Sequence, residues 1–184
     1  MTDPNRETTA PSTDPSSGTA DLTARLVAWG QELLAVHARL RDALEVAREA
    51  VATADGAASR ADGDPRRLLG LYCHGFCQAL EGHHRGEDDN VFTALLDLRP
   101  DLAGVVAELQ RDHRMLDHLL GELSRAVDAD ADAATLERHL DGIDAVMETH
   151  FRYEEKRLVD ALDEPALAAA LSGTDRRAAL GPLA

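Results

Sequence analysis

HHRGEDDNVFTALL, residues 83–96, places His83 and Glu87 four positions apart within a stripe of apolar residues. On a helix, residues four apart lie one turn above another on the same face. A histidine or a carboxylate on a buried face is costly unless it is paired or bound to a metal. The stretch therefore predicts a helix whose inner face carries two side chains able to bind a metal ion.

Apolar residues recur at steps of three, four or seven in four parts of the chain. This spacing is typical of one face of an amphipathic helix. The four stripes cover residues 22–51, 69–95, 102–127 and 136–162. Because the links between them are short, we expect an all-α fold, an antiparallel up-down-up-down four-helix bundle with a short C-terminal helix.

The predicted domain organisation follows from these stripes. Residues 1–20 are rich in Thr, Ser, Pro and Asp, have little to bury, and are expected to form a disordered tail. Residues 21–163 form the bundle, with Asp21 as a candidate cap of the first helix. Residues 164–184 should comprise a short helix, over Glu164 to Leu171, and a tail that frays.

Each of the other three stripes carries the same kind of polar interruption. THFRYEEKRLVDAL, residues 149–162, repeats the pair as His150 and Glu154. LLAVHARL, residues 33–40, and LQRDHRMLDHLL, residues 109–120, contribute single histidines, His37 and His113. Four helices of one bundle can direct all these side chains at one interior point. Mixed imidazole and carboxylate donors suit iron, manganese or zinc, and two carboxylates from different helices could bridge two ions.

Composition excludes several functional classes. The formal net charge of −15 over 184 residues argues against a nucleic-acid surface, which needs clustered Lys and Arg. No apolar run is long enough to cross a bilayer, and no signal peptide is visible. Cys73 and Cys77 lie one helical turn apart, which suits reduced thiols better than a structural disulfide. These features indicate a cytoplasmic protein.

The four quoted motifs together resemble the hemerythrin-like family of HHE cation-binding domains, over residues 22–162. The resemblance implies a non-haem site for two iron ions in the bundle. It also implies the ligands: His37, His83, Glu87, His113, His150 and Glu154, with Glu87 and Glu154 as the bridging carboxylates.

The sequence departs from the oxygen-carrying hemerythrins at two positions. Those proteins have a further histidine four residues after the one on the third helix, where this chain has Asp117. His118 follows one residue later, roughly 140° round an ideal helix from His113. The carriers also place their last carboxylate where this chain has Glu155, whereas the apolar stripe indicates Glu154. The resemblance thus implies sensing, NO or peroxide chemistry rather than reversible O2 carriage.

Residues beside the predicted ligands have simpler interpretations. For His84 and Asp88, we expect a solvated face, with a supporting role at the site as the alternative. His118 is expected on the surface. Cys73 and Cys77 are expected to be small core residues, with a redox pair as the alternative. For Tyr72 and Tyr153 we expect core packing, although either hydroxyl could reach the site.

Three hypotheses for function remain open at this point. In the first, the protein binds O2, peroxide or NO at a two-iron site for sensing, detoxification or storage. In the second, it is an iron-responsive regulatory or interaction module whose fold the metal stabilises. In the third, it is an enzyme with peroxidase-like or catalase-like turnover. The protein partner of a regulatory module is not identified by the sequence.

Overall fold

Helices make up nearly all of the computed structural model, which describes residues 28–56 and 65–184. A π-helical turn, Glu87–Val91, connects the second and third α-helices, and a 3-10 turn, Pro100–Leu102, precedes the fourth. The α-helices are α1 (Ala28–Gly56), α2 (Pro65–Gly86), α3 (Phe92–Leu98), α4 (Ala103–Asp128), α5 (Ala133–Leu162), α6 (Pro165–Ala170) and α7 (Arg176–Leu180). The predictions for residues 1–20, for Asp21 as a cap and for the start of the first stripe concern positions outside the described residues.

The long helices form a four-helix bundle. Helix α1 packs against α2 and α5, and α4 packs against the same two helices, so the four surround one interior. Short links between α3 and α4 and between α4 and α5 make successive helices antiparallel. Asp132 caps α5 by accepting a hydrogen bond from the Thr135 amide at 2.7 Å. The predicted all-α antiparallel bundle is confirmed.

The predicted apolar stripes supply the core. Leu40, Leu109 and Leu140, from three different helices, are fully buried. Burying one side chain of this size contributes about 1.5–3 kcal/mol to the free energy that stabilises the fold. This apolar packing holds the helices around the polar residues at mid-bundle.

The π-helical turn begins at Glu87, three residues after His84, which is the second of two adjacent histidines near the end of α2. A π-helical turn contains one residue more than an α-helical turn, and such turns often occur at functional sites. The side-chain amide of Asn90 donates to the carbonyls of Gly86, at 3.1 Å, and Ala178, at 3.0 Å. The turn is therefore stabilised in part by residues near the C-terminus.

The expectation that the C-terminal tail frays is wrong. Helix α6 occupies the predicted position, and α7 follows it with Ala179 and Leu180 fully buried. The tail is ordered because it packs against α2 and the π-helical turn. Among the described residues, no helix combines the length and apolar character needed to span a membrane.

Replacing Leu140 by Ala should lower the free energy of unfolding by about 2–5 kcal/mol, because it removes buried methyl groups and leaves a cavity. Leu98→Ala is the matched control, since Leu98 is 43% exposed and its loss should change stability by less than about 1 kcal/mol. Urea denaturation followed by circular dichroism measures both. Equal effects would show that Leu140 is not in the core.

Candidate metal centre

The structure brings the six predicted ligands together in the bundle interior. His37 comes from α1, His83 and Glu87 from the end of α2 and the start of the π-helical turn, His113 from α4, and His150 and Glu154 from α5. Each is at most 1% exposed. The i, i+4 spacing directs both members of each pair to the same face, as the sequence predicted.

Together with His84, these six side chains form two groups of donor atoms, and within each group the atoms lie no more than 4.8 Å apart. The first group consists of His37, His83, Glu87 and Glu154. The second consists of His84, His113 and His150. All seven side chains are buried.

The two glutamates of the first group lie on the side that faces the second group. One carboxylate oxygen of Glu87 is 3.2 Å from His83 Nε2, and the other is 3.6 Å from His113 Nε2. Oε2 of Glu154 is 3.3 Å from His37 Nε2 and 3.7 Å from His150 Nε2. Each glutamate therefore lies beside one histidine of the first group and one histidine of the second group.

Histidine nitrogens face each other within both groups. His37 Nε2 lies 3.1 Å from His83 Nε2, and His113 Nε2 lies 3.2 Å from His150 Nε2. Burial and the neighbouring His37 lower the pKa of His83 well below its usual value, so this ring is neutral. Two facing lone pairs at this distance repel unless a proton or a cation lies between them.

Outer hydrogen bonds orient three of the rings. Nδ1–H of His37 donates to Glu155 at 2.9 Å, that of His83 to the Leu180 carbonyl at 3.1 Å, and that of His113 to Asp88 at 3.1 Å. The carbonyl can only accept, so His83 carries its proton on Nδ1 and presents the Nε2 lone pair to the centre. Metal-bound histidines commonly have an outer acceptor of this kind.

The electrostatics of the first group reflect its burial. Burial acts to lower the pKa of His37, but the adjacent carboxylates of Glu154 and Glu155 outweigh it and raise that pKa. Burial, followed by the charge of Glu154, raises the pKa of Glu87 well above its usual value. Without a metal, protons compensate the carboxylates, and a metal ion would have to displace them.

Several buried polar atoms have no hydrogen-bond partner among the described residues: His84 Nδ1 and Nε2, Glu87 Oε1 and Oε2, His150 Nδ1, and Glu154 Oε2. Leaving a buried polar atom unsatisfied costs about 1–3 kcal/mol. Cations bound by the Glu87 and Glu154 oxygens and by one His84 nitrogen would remove much of that cost. The donor set therefore fits a metal centre.

The expectation of a solvated face is wrong for His84. This side chain is 2% exposed, and its ring stacks on His113 with centroids 4.1 Å apart. The sequence offered one signal, the spacing of three between His84 and Glu87, which places both on one side of a helix. Asp88 is partly exposed but hydrogen-bonds to His113, so it takes the alternative, supporting position.

The remaining candidates lie outside the donor groups. Glu155 contacts the outer nitrogen of His37, and His118 is exposed as expected. Tyr72 is 43% exposed, so core packing is wrong for that residue. The hydroxyl of Tyr153 donates to Glu108 at 2.6 Å rather than to the centre.

Cys73 and Cys77 are free thiols in the structure. Cys73 is buried and Cys77 half-buried. Burial raises the pKa of Cys73 to about 11 and that of Cys77 to about 12. Because the thiolate is the reactive form, this environment favours the core interpretation over a redox pair.

A helical bundle that encloses histidine and carboxylate donors from all its long helices defines a class of metal-binding proteins. The sequence matches the family model of the hemerythrin HHE cation binding domain over residues 31–162, which is more than half of the chain. The chain therefore belongs to this family, as its motifs predicted. Comparisons with curated proteins and with solved structures give no match.

Asp88→Ala should weaken metal binding roughly ten- to a hundredfold, since it removes the acceptor that orients His113. Asp89→Ala is the control, because Asp89 is exposed and adjacent, and its loss changes the net charge equally. Competition with a chromophoric chelator for Fe(II) measures both affinities. Identical affinities would contradict an orienting role for Asp88.

Proposed function

We propose that this protein is a non-haem two-iron protein that binds O2, peroxide or NO. Its role would be to sense, detoxify or store that small molecule. The observation that carries the proposal is the pair of adjacent buried donor groups with two glutamates between them. The family supports iron, and mixed imidazole and carboxylate donors are compatible with it.

Seven side chains would hold the two ions. His37 and His83 would bind one, His84, His113 and His150 the other, and Glu87 and Glu154 would bridge them. The bridging role is supported by the position of each glutamate beside a histidine of either group. His84 was absent from the predicted set, and its unpartnered nitrogens support adding it.

The donor count leaves room for an external ligand. Five imidazoles and both oxygens of two carboxylates supply nine donors, fewer than the twelve positions of two octahedral ions. Bound iron would supply one-electron redox chemistry and an open position for a small molecule. A small diatomic molecule or peroxide suits such a buried position by its size.

The protein's own residues would keep the centre dry and its ligands fixed. Phe151 stacks on His37 with centroids 3.8 Å apart, and Phe92 lies parallel to His113 at 5.6 Å. These rings, both buried, exclude water from one side of each donor group. Asp88, Glu155 and the Leu180 carbonyl would hold the outer histidine protons, which leaves the inner lone pairs free for metal.

Expression with iron under air tests the proposal. We expect about two iron ions per chain, one for each donor group, and charge-transfer bands that change on addition of NO or peroxide. Metal analysis with absorption spectroscopy supplies both readouts. Less than one iron per chain without such bands would refute the two-iron site.

His84→Ala should reduce the iron content from about two ions per chain to about one, because it removes a donor from the second group only. His118→Ala is the control, as His118 is an exposed histidine on α4. Metal analysis of both purified proteins decides the point. A His84→Ala protein that keeps its full iron content would remove His84 from the ligand set.

The second candidate is a regulatory module that the metal stabilises, and the structure of α2 favours it. Within the described part of the chain, no atom lies within 4 Å of a Cβ added at Gly70 or Gly75, so these helix-weakening residues make no packing contact there that offsets their low propensity. The metal would then contribute binding free energy to folding. The two candidate functions are compatible.

Under either candidate function we infer a cytoplasmic location, because Cys73 and Cys77 would stay reduced there.

Chelation should lower the melting temperature, since an ion at a thousand times its Kd stabilises a fold by about 4 kcal/mol. Thermal melts followed by circular dichroism, with and without chelator, measure the change. An unchanged melting temperature in a protein shown to have lost its iron would exclude the module hypothesis.

A further inference from the structure

The C-terminal segment of residues 176–184, here called the C-terminal clasp, lies against the metal-binding end of α2. It comprises α7 and the four residues after it. We propose that the clasp is a positioning element of the metal centre: the Leu180 carbonyl sets the orientation of His83, and docking of the clasp is coupled to metal occupancy. This inference rests on the proposed metal binding.

The central contact joins the clasp to a predicted ligand. Nδ1–H of His83 donates to the Leu180 carbonyl at 3.1 Å, across 97 positions of sequence. His37 and His113 use carboxylates of Glu155 and Asp88 for the same purpose. His83 thus takes its orienting acceptor from a backbone far along the chain, and it keeps that acceptor only while the clasp is docked.

Glycines allow the clasp to come this close. A Cβ atom on Gly86 would lie 2.7 Å from the Ala179 carbonyl oxygen, and one on Gly82 would lie 2.9 Å from Pro182. Gly181 has φ of +87°, and its Cβ would lie 2.6 Å from the Cα of His83. Larger residues at these positions would push the clasp away from α2.

Burial and polar contacts hold the clasp in place. Ala179 and Leu180 are fully buried in the core. Arg39 of α1 donates to the Leu183 carbonyl at 2.5 Å, and Asn90 of the π-helical turn donates to the Ala178 carbonyl at 3.0 Å. The clasp therefore contacts α1, α2 and the turn that carries Glu87.

Coupling follows from the shared histidine. A docked clasp holds the His83 Nε2 lone pair toward the first donor group, where a metal ion would use it. A metal ion bound there would in turn favour the ring orientation to which Leu180 is complementary. Because such coupling is reciprocal, losing the clasp must weaken metal binding, and losing the metal must loosen the clasp.

Gly181→Ala in the full-length protein tests whether displacing the clasp weakens metal binding. The strained backbone and the contact with His83 should displace the Leu180 carbonyl and weaken Fe(II) binding roughly ten- to a hundredfold. The absorption spectrum of the iron-loaded protein should also shift, which a purely structural role would not require. Gly173→Ala is the matched control, since no atom of residues 28–56 or 65–184 beyond its chain neighbours lies within 4 Å of a Cβ at Gly173, and it should match the parent.

Hydrogen exchange tests whether loss of the metal loosens the clasp. We expect the amides of residues 179–181 to exchange more slowly in the iron-loaded protein than in the chelated one. A peptide from the start of α5, far from His83 along the bundle, serves as the internal reference. Measuring the parent protein avoids dependence on any variant's folding.

The outcomes of these experiments distinguish failure of the clasp proposal from failure of the proposed metal binding. Unchanged affinity and spectrum in Gly181→Ala, equal losses in both glycine variants, or metal-independent exchange of residues 179–181 would each overturn the clasp proposal while leaving the metal site intact. A parent protein that binds no iron would overturn the proposed function itself, and the clasp proposal with it.

Discussion

The structure depends on one constraint: seven polar donors lie in the interior of an apolar bundle. Five imidazoles and two carboxylates are almost completely excluded from water. Several of their atoms have no hydrogen-bond partner in the part of the chain that the structure describes, and apolar packing cannot supply one. The surrounding leucine core must supply enough stability to hold this arrangement until a cation is bound.

Outer contacts decide which atoms face the centre. A neutral imidazole has one N–H and one lone pair, so fixing the proton at Nδ1 commits Nε2 to the interior. Glu155, Asp88 and the Leu180 carbonyl fix three rings in this way. The centre is therefore preorganised by groups that would not themselves touch a metal ion.

The same geometry accounts for Gly82 and Gly86 of α2. As a helix-weakening residue, Gly86 is unfavourable by propensity alone. Its missing side chain admits the Ala179 carbonyl, and with it the segment that reaches His83. Local stability of the helix is given up where a tertiary contact requires close approach of two backbones.

The helical bundle and the six candidate ligands could be predicted from local sequence patterns. Apolar periodicity and the spacing of His83 with Glu87 are local properties of one helix, so they can be read without knowing its neighbours. The choice of Glu154 over Glu155 for the inner face also followed from that stripe, and the structure places Glu154 between the donor groups. Whether these residues bind metal remains a prediction.

The positions of His84 and of the C-terminal clasp depend on tertiary packing. His84 is buried because of how α2 packs against α4 beside the π-helical turn, and periodicity does not specify that packing. The Leu180 contact uses a backbone carbonyl, a group that every residue has, so no residue type marks it in the sequence. Such contacts depend on how distant segments meet, which becomes defined only when the chain has folded.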